Sequence, residues 1–339
     1  MAHDLIGVLK YPFEINGNRI NVGASVGISR FPVDGDTVDS LLQNADTAMY
    51  QAKAFGKGQV LGYDQLQAVD IRNRAHLKLQ LQNAVQSRQF RLLYQPQVSC
   101  STGLVEGVEA LIRWHHPERG VVSPIEFIPI AEECGLINAI GAWVLAEAAK
   151  QISLWKDTEL CDLRVSVNIA SSQFQQPDFT DIVLNTLAQC GADPGNLELE
   201  VTESVVMNDV STVVMRLKEL REAGVRIAID DFGTGYSSLS YLQDLPLDVL
   251  KIDRSFVSRL DCEQSKSSLV NTIMLLASGL GLETVAEGVE NPEQLDSVMN
   301  LGCDYIQGYH YSRPVCANSL ISTVRRINSV ADEDDCRAA

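Results

Sequence analysis

The chain has 339 residues, of which 45 % are hydrophobic and 21 % charged, as in ordinary globular proteins of one or two domains. Its formal net charge of −17, from 27 basic and 44 acidic residues, argues against binding to DNA, because a polyanion would be repelled. No apolar stretch of about 20 residues and no signal peptide is found, which predicts a cytoplasmic location without membrane contact; an anchor or sensor upstream is compatible with this.

The first part of the chain contains one predicted strand and one predicted helix. Arg19–Ile28 is typical of a strand, and Asp39–Ala54 has apolar residues at spacings of three and four, which indicates an amphipathic helix. Gly56 and Gly58 follow as stop signals. A strand and a helix are too few for a complete α/β domain. A polar helix over residues 63–87 is predicted to lead into the rest of the chain.

From Phe90 onward, short strands alternate with helices. Apolar and polar residues alternate over residues 164–169, 197–202 and 225–230, and a helix is predicted over Ser211–Ala223, with a glycine directly after its end. Such alternation over roughly 240 residues predicts a parallel sheet closed into a (β/α)8 barrel. An open doubly wound sheet is the alternative, although its GxGxxG phosphate fingerprint is absent.

Polar side chains fall at or near the carboxyl ends of several predicted strands. They are Glu109, Asn168, Glu200, Asp230, Asp231, Lys251 and Glu287. In a barrel these ends meet at one rim, where barrel active sites lie. Carboxylates crowded there need cations, and oxygen ligands suit Mg²⁺ or Mn²⁺. Each residue alone would more simply face solvent or an ion-pair partner, so the joint pattern carries the prediction of a two-metal site, which suits phosphodiester hydrolysis.

The motif Glu109-Ala110-Leu111, followed by Ile112-Arg113-Trp114, resembles the signature of the EAL family of cyclic di-GMP phosphodiesterases. Further motifs of that family follow in chain order: Val167-Asn168-Ile169, Glu200-Val201-Thr202-Glu203, Asp230-Asp231-Phe232-Gly233-Thr234-Gly235-Tyr236-Ser237-Ser238, Lys251-Ile252-Asp253, Ala286-Glu287-Gly288-Val289-Glu290 and Gln307-Gly308-Tyr309. The resemblance implies a TIM-like (β/α)8 barrel of the EAL type. It also implies hydrolysis of cyclic di-GMP to linear pGpG with two Mg²⁺ or Mn²⁺ ions.

The resemblance implies roles for individual residues. Those implied as ligands are Glu109, Asn168, Glu200 and Asp230 for the first metal and Asp231 for the second, with Glu287 beside the metals and their water. Glu109, Lys251 and Glu287 are implied to be catalytic, and Lys251 would accept a proton if burial and the metals lowered its pKa. Those implied as substrate contacts are Arg113, on a phosphate, with Gln95, Ile112, Pro124 and Gln307.

Phe232–Ser238 resembles a mobile loop that couples the metal site to a homodimer interface, and Glu203 and Glu290 resemble its anchors. The N-terminal segment resembles the C-terminal part of a GGDEF diguanylate cyclase domain, without the GGDEF signature, so no cyclase activity is expected. The predicted boundaries are a partial GGDEF-like segment at 1–63, a linker helix at 64–76, the EAL barrel at 77–325 and an acidic tail at 326–339. The acidic residues 331–335 predict a solvated, disordered end.

Two other functions are compatible with these residues. A catalytically silent receptor for cyclic di-GMP would need only the pocket, Arg113 and Gln307. A phosphodiesterase for another cyclic dinucleotide would need the same metal ligands, because base selectivity is set by pocket contacts. No catalytic position departs from the motifs of the EAL family, and this favours hydrolysis of cyclic di-GMP.

Overall fold

A computed structural model describes residues 2, 5–6, 13–15, 18–20, 23–54, 58–63, 77–206, 210–233, 242–258, 260 and 264–338. The chain divides into two compact units, Met1–Leu81 and Gln82–Ala339. Within these described ranges, no helix combines the length and apolar character needed to cross a membrane. The predicted linker helix at 64–76 lies outside them, and residues 77–86 are helical.

The described residues of the first unit form two small sheets and one long helix. Strands β1 (Phe13–Ile15) and β2 (Asn18–Ile20) pair antiparallel, whereas β3 (Val26–Ile28) and β4 (Val60–Gly62) pair parallel. The predicted helix is confirmed as Val38–Ala54. The prediction of one strand over Arg19–Ile28 is wrong, because β2 and β3 pair with different partners and residues 23–25 between them are not in a strand.

The second unit is built around a closed barrel of eight strands. Ten strands form its sheet: β5 (Phe90–Ser99), β6 (Val105–His116), β7 (Gly120–Val122), β8 (Arg164–Ile169), β9 (Leu197–Thr202), β10 (Arg226–Phe232), β11 (Val249–Ile252), β12 (Glu283–Glu287), β13 (Tyr305–Gln307) and β14 (Val315–Cys316). Their order is β14-β5-β13-β12-β11-β10-β9-β8-β6-β7, and pairing of β5 with β6 closes the ring. Closure confirms the predicted barrel and excludes the open doubly wound sheet.

The direction of β5 differs from the prediction of an all-parallel sheet. β5 runs antiparallel to both of its barrel neighbours, β6 and β13, while the pairs from β6 through β8 to β13 are parallel. The cause is local, since only residues 100–104 connect β5 to β6 and a parallel pair would need a crossover of a dozen or more residues.

Helices follow most of the barrel strands. They are Pro124–Glu133, Ile137–Trp155, Ser171–Phe174, Phe179–Cys190, Glu203–Val206, Val210–Glu222, Arg254–Val257, Gln264–Leu280, Pro292–Asn300 and Ala317–Ala338, with a 3-10 helix at Pro194–Asn196. The predicted helix over Ser211–Ala223 is confirmed within one residue at each end, and Gly224 follows it with a φ of +100°, as a helix-ending glycine does.

The C-terminal segment is helical, whereas the sequence predicted a disordered acidic end. The helix Ala317–Ala338 includes residues 331–335, for which a disordered tail was predicted. Its first half is held by the buried side chains of Leu320, Val324 and Ile327. Once such a helix has formed, each added residue gains a backbone hydrogen bond without a new nucleation cost, so the helix extends into the acidic sequence.

Candidate active site

The predicted acidic side chains meet around one buried lysine. The ammonium nitrogen of Lys251, which is 0 % exposed, lies 2.7 Å from Glu200 Oε1 and 2.6 Å from Glu287 Oε1. It also lies 3.8 Å from Asp230 Oδ1 and 3.9 Å from Glu109 Oε2. These residues come from β6, β9, β10, β11 and β12, so the barrel brings together five side chains that are far apart in the sequence.

A β-bulge places two aspartates opposite the lysine. Ile229 pairs with Leu250 and Phe232 pairs with Ile252, so that Asp230 and Asp231 on β10 share the single position opposite Lys251. Asp231 has a φ of +55°, a left-handed conformation that is uncommon for residues other than glycine. Its backbone N–H donates to Asp230 Oδ1 at 2.9 Å. A bulge changes the direction of side chains locally, so both aspartates lie at this position of the strand, and the role of Asp231 as a metal ligand stays a prediction.

Amide side chains surround the carboxylate of Glu109. Asn168 Nδ2 donates to Glu109 Oε1 at 2.7 Å, and Gln307 Nε2 donates to Glu109 Oε2. Gln307 Nε2 also lies 3.2 Å from Gln95 Oε1, while Gln95 Nε2 donates to the carbonyl oxygen of Ser312. The structure therefore places Asn168, Gln307 and Gln95 beside the acidic cluster, and their roles as metal ligand and substrate contacts stay predictions.

Burial and mutual repulsion shift the pKa values of this cluster. Burial raises the pKa of Glu200 well above its ordinary value; Lys251 opposes the rise, and the neighbouring carboxylates add to it. Burial likewise raises the pKa of Glu287, to about 8. Burial and the nearby Asp230 raise the pKa of Asp231. Burial lowers the pKa of Lys251, but the surrounding carboxylates outweigh it, and the pKa ends well above its usual value.

The donor chemistry of the cluster fits hard divalent cations. Glu109, Glu200, Asp230 and Glu287 offer carboxylate oxygens around one ammonium, which leaves excess negative charge for cations to compensate. Within the part of the chain that the structure describes, neither buried oxygen of Glu200 accepts a well-aligned hydrogen bond, despite the short ion pair. In that same part, no three acidic, histidine or cysteine side chains are arranged around a common point as metal ligands.

Basic and aromatic side chains lie beside the cluster. Arg113 on β6 is half-buried, and its Nη1 donates to the Ile112 carbonyl oxygen at 2.8 Å. Burial lowers the pKa of Arg113, while Tyr309 and Glu109 raise it, which places the guanidinium near both groups. The sequence did not single out Arg313, whose guanidinium carbon lies 4.5 Å from the centre of the Tyr309 ring. The half-buried Pro124 begins the helix Pro124–Glu133.

The predicted anchors of the loop occupy different surroundings. Glu203 is buried at the start of Glu203–Val206, and within the described ranges its Oε2 has no hydrogen-bond partner. Glu290 is exposed and pairs with Arg254 at 2.7 Å. Residues 234–238 of the predicted loop lie outside the described residues, so the anchoring of the loop stays a prediction. The contribution of Arg254 had no signal in the sequence.

Comparison with known proteins agrees with this geometry. Residues 78–314 match the EAL domain, and residues 1–59 match the diguanylate cyclase GGDEF domain. The barrel, the bulge and the acidic cluster thus occur in a chain that belongs to the EAL-domain family, with a GGDEF-domain fragment before it.

The similar proteins include two curated relatives from Pseudomonas aeruginosa. The bifunctional diguanylate cyclase/cyclic di-GMP phosphodiesterase MucR is 40 % identical over 324 residues, and the cyclic di-GMP phosphodiesterase NbdA is 38 % identical over 325 residues. Each match covers 96 % of this chain but only 47 % and 42 % of the respective relative, so the chain spans about half the length of these proteins.

Solved structures show the same fold. The PaMucR phosphodiesterase in complex with cyclic di-GMP is 44 % identical, with a TM-score of 0.70 over 72 % of this chain and 99 % of the other. The EAL enzyme Bd1971, bound to cAMP and cyclic di-GMP, is 30 % identical, with a TM-score of 0.71 over 86 % of this chain and 76 % of the other.

Proposed function

We propose that this chain hydrolyses cyclic di-GMP to linear pGpG and requires two Mg²⁺ or Mn²⁺ ions. The observation that carries the proposal is the convergence of four carboxylates, with two amides beside them, around Lys251 in a barrel of the EAL-domain family. The similarity to MucR, NbdA and the PaMucR complex supports cyclic di-GMP as the substrate. We also propose that the reaction is cytoplasmic and that the active form is a homodimer.

The acidic and amide residues of the cluster can be assigned to the two metal ions. Glu109, Asn168, Glu200 and Asp230 would hold one ion and Asp231 the other, with Glu287 beside both. When bound, the ions would activate a water and offset the negative charge that develops at the phosphate. The excess of carboxylates over ammonium groups in the cluster supports this assignment.

Lys251 and the substrate-binding side chains complete the proposal. Lys251 is fully buried and lies 2.7 and 2.6 Å from Glu200 and Glu287, so we assign it the amine that contacts the attacking water and a phosphate oxygen. It would accept a proton if burial and the bound ions lowered its pKa. Arg113 would bind a phosphate of the dinucleotide. Gln95 and Gln307 would present amide groups to the substrate, and Ile112 and Pro124 would contact it through apolar surface.

Turnover with varied metals tests the proposal. The purified chain is incubated with cyclic di-GMP and Mg²⁺ or Mn²⁺, and we expect chromatography to detect pGpG that disappears when EDTA is added. Cyclic di-AMP serves as the matched control for base selectivity. Full turnover in EDTA, or none with either metal, would contradict the proposal. Tight calorimetric binding of intact nucleotide with both metals present would instead identify a receptor.

A further inference from the structure

A buried glutamine outside the predicted site lies directly behind it. Gln97 on β5 is 2 % exposed and pairs in register with Gln307 on β13 and with Gly107 on β6. Its Nε2 donates to Gln307 Oε1 at 3.0 Å. Gln97 is therefore joined to the acidic cluster through Gln307, and in the described residues no hydrogen bond joins it directly to the carboxylates that surround Lys251.

The chemistry of the neighbouring groups fixes the direction of this hydrogen-bond chain. An ionised carboxylate only accepts hydrogen bonds, so Gln307 must present its NH₂ group to Glu109. Its carbonyl oxygen then faces Gln97, which must donate. At the other end, Gln95 donates to the Ser312 carbonyl oxygen and so keeps its own amide oxygen directed at Gln307.

The space for Gln97 depends on its neighbour on β6. A Cβ atom at Gly107 would lie 2.6 Å from Gln97 Oε1, well inside van der Waals contact. Any larger residue at position 107 would therefore displace the Gln97 amide. Because this amide is at the end of a flexible side chain, its displacement would change the free energy of unfolding little. The main consequence would be loss of the hydrogen bond from Gln97 to Gln307.

We infer that Gln97 is a positioning residue: it holds the Gln307 amide in the orientation that donates to Glu109, and Gly107 provides the space for it. The inference rests on the proposed function, in which Glu109 is a metal ligand. A ligating carboxylate is oriented by the hydrogen bonds that it accepts, and loss of such a partner weakens metal affinity or activity about 10–100-fold. Gln97 would act on Glu109 only through Gln307, without contacting metal or substrate.

Two substitutions at position 97 separate positioning from packing. In Gln97→Glu an ionised carboxylate only accepts, so Gln307 must reverse its amide and turn its carbonyl oxygen toward Glu109. The measurements are made at pH about 9, because a buried carboxyl group that is still protonated would donate as the glutamine does. Gln97→Met has a side chain of similar volume but no amide, so it does not determine the orientation of the Gln307 amide. We expect kcat to fall about 10–100-fold in Gln97→Glu and about 3–10-fold in Gln97→Met, with KM changed less than about threefold. Calorimetry should give Mg²⁺ and Mn²⁺ affinities that fall in the same order.

Further variants provide the controls. Gly107→Ala should reproduce the effect of Gln97→Met by displacing the amide. Gln173→Met is the matched control, since Gln173 is also 2 % exposed and its amide has no hydrogen-bond partner in the described residues; its kcat and metal affinity should stay within about twofold of wild type. In a Gln307→Met background, changes at position 97 should have no further effect on metal affinity.

Several outcomes would overturn the inference. One is an equal loss of kcat and metal affinity in Gln97→Glu and Gln97→Met when both proteins are folded. Another is near-normal metal affinity in both variants. A third is a loss of metal affinity at position 97 that adds fully to the loss caused by Gln307→Met. If Gln97→Glu fails to fold, the comparison of Gly107→Ala with Gln97→Met in both backgrounds decides. A wild-type chain that binds metals but does not hydrolyse cyclic di-GMP would contradict the proposed function alone, since metal affinity still reports the coupling.

Discussion

Replacing Lys251 by methionine would test whether its ammonium compensates the buried carboxylates. Methionine has a similar length but no charge, so Glu200 and Glu287 would lose a cation that lies 2.7 and 2.6 Å away. Removing one partner of a fully buried ion pair costs roughly 3–5 kcal/mol, because a charge remains uncompensated. A domain with a typical free energy of unfolding of about 5–15 kcal/mol would thus lose a large share of its stability without metal.

Urea denaturation in EDTA, followed by circular dichroism, measures this loss. Lys150→Met is the control, since that lysine is 60 % exposed and lies 3.6 Å from Glu147, in a surface pair worth about 0.5 kcal/mol or less. Saturating Mg²⁺ should recover part of the stability of Lys251→Met, because cations that bind only the folded state stabilise it. A loss below about 1 kcal/mol in EDTA would show that the carboxylates do not depend on Lys251 for charge compensation.

The pH dependence gives a second check on Lys251→Met. Burial raises the pKa values of Glu200 and Glu287 above those of the unfolded chain, and without Lys251 nothing opposes the rise. A carboxyl group with a raised folded-state pKa is more stable when protonated, so stability is present at low pH and is lost as pH rises. The difference from wild type should therefore be smaller at pH about 5 than at pH about 8. An equal difference at both values would contradict this reasoning.

Three further changes have distinct expected results. Glu109→Ala should reduce pGpG formation by roughly 100-fold or more while keeping the melting temperature, because it removes a proposed metal ligand; near-normal turnover would contradict the site assignment. Gly288→Ala should cost about 1–2 kcal/mol in urea denaturation, because Gly288 has a φ of +69° and an added Cβ would collide with Arg254; unchanged stability would show that the turn tolerates a side chain. Arg226→Met should cost roughly 2 kcal/mol in the same assay, because it leaves the buried Glu198 without its cation. Ser166 Oγ also donates to Glu198 Oε1 at 2.7 Å, so a neutral result would mean that this hydrogen bond alone satisfies Glu198.

The local pattern of the sequence was enough to predict the class of fold and most of the residues at the site. The helices Val38–Ala54 and Val210–Glu222 follow from apolar spacing, and the acidic positions follow from where strands end. The pattern did not give the direction of β5, which depends on a short connection. It also did not give the bulge at Asp230 and Asp231, because a bulge changes register without changing composition.

The sequence by itself determined which carboxylates, amides and basic groups are available and that a barrel would gather them at one end. Only the tertiary structure decided that the carboxylates close on a fully buried Lys251 and that Gln97 lies behind Gln307. The physical reason is sequence separation: Gln97 and Gln307 are 210 positions apart, and no periodicity within one element specifies a partner on another. Their contact depends on barrel closure and strand register, which the whole fold sets together.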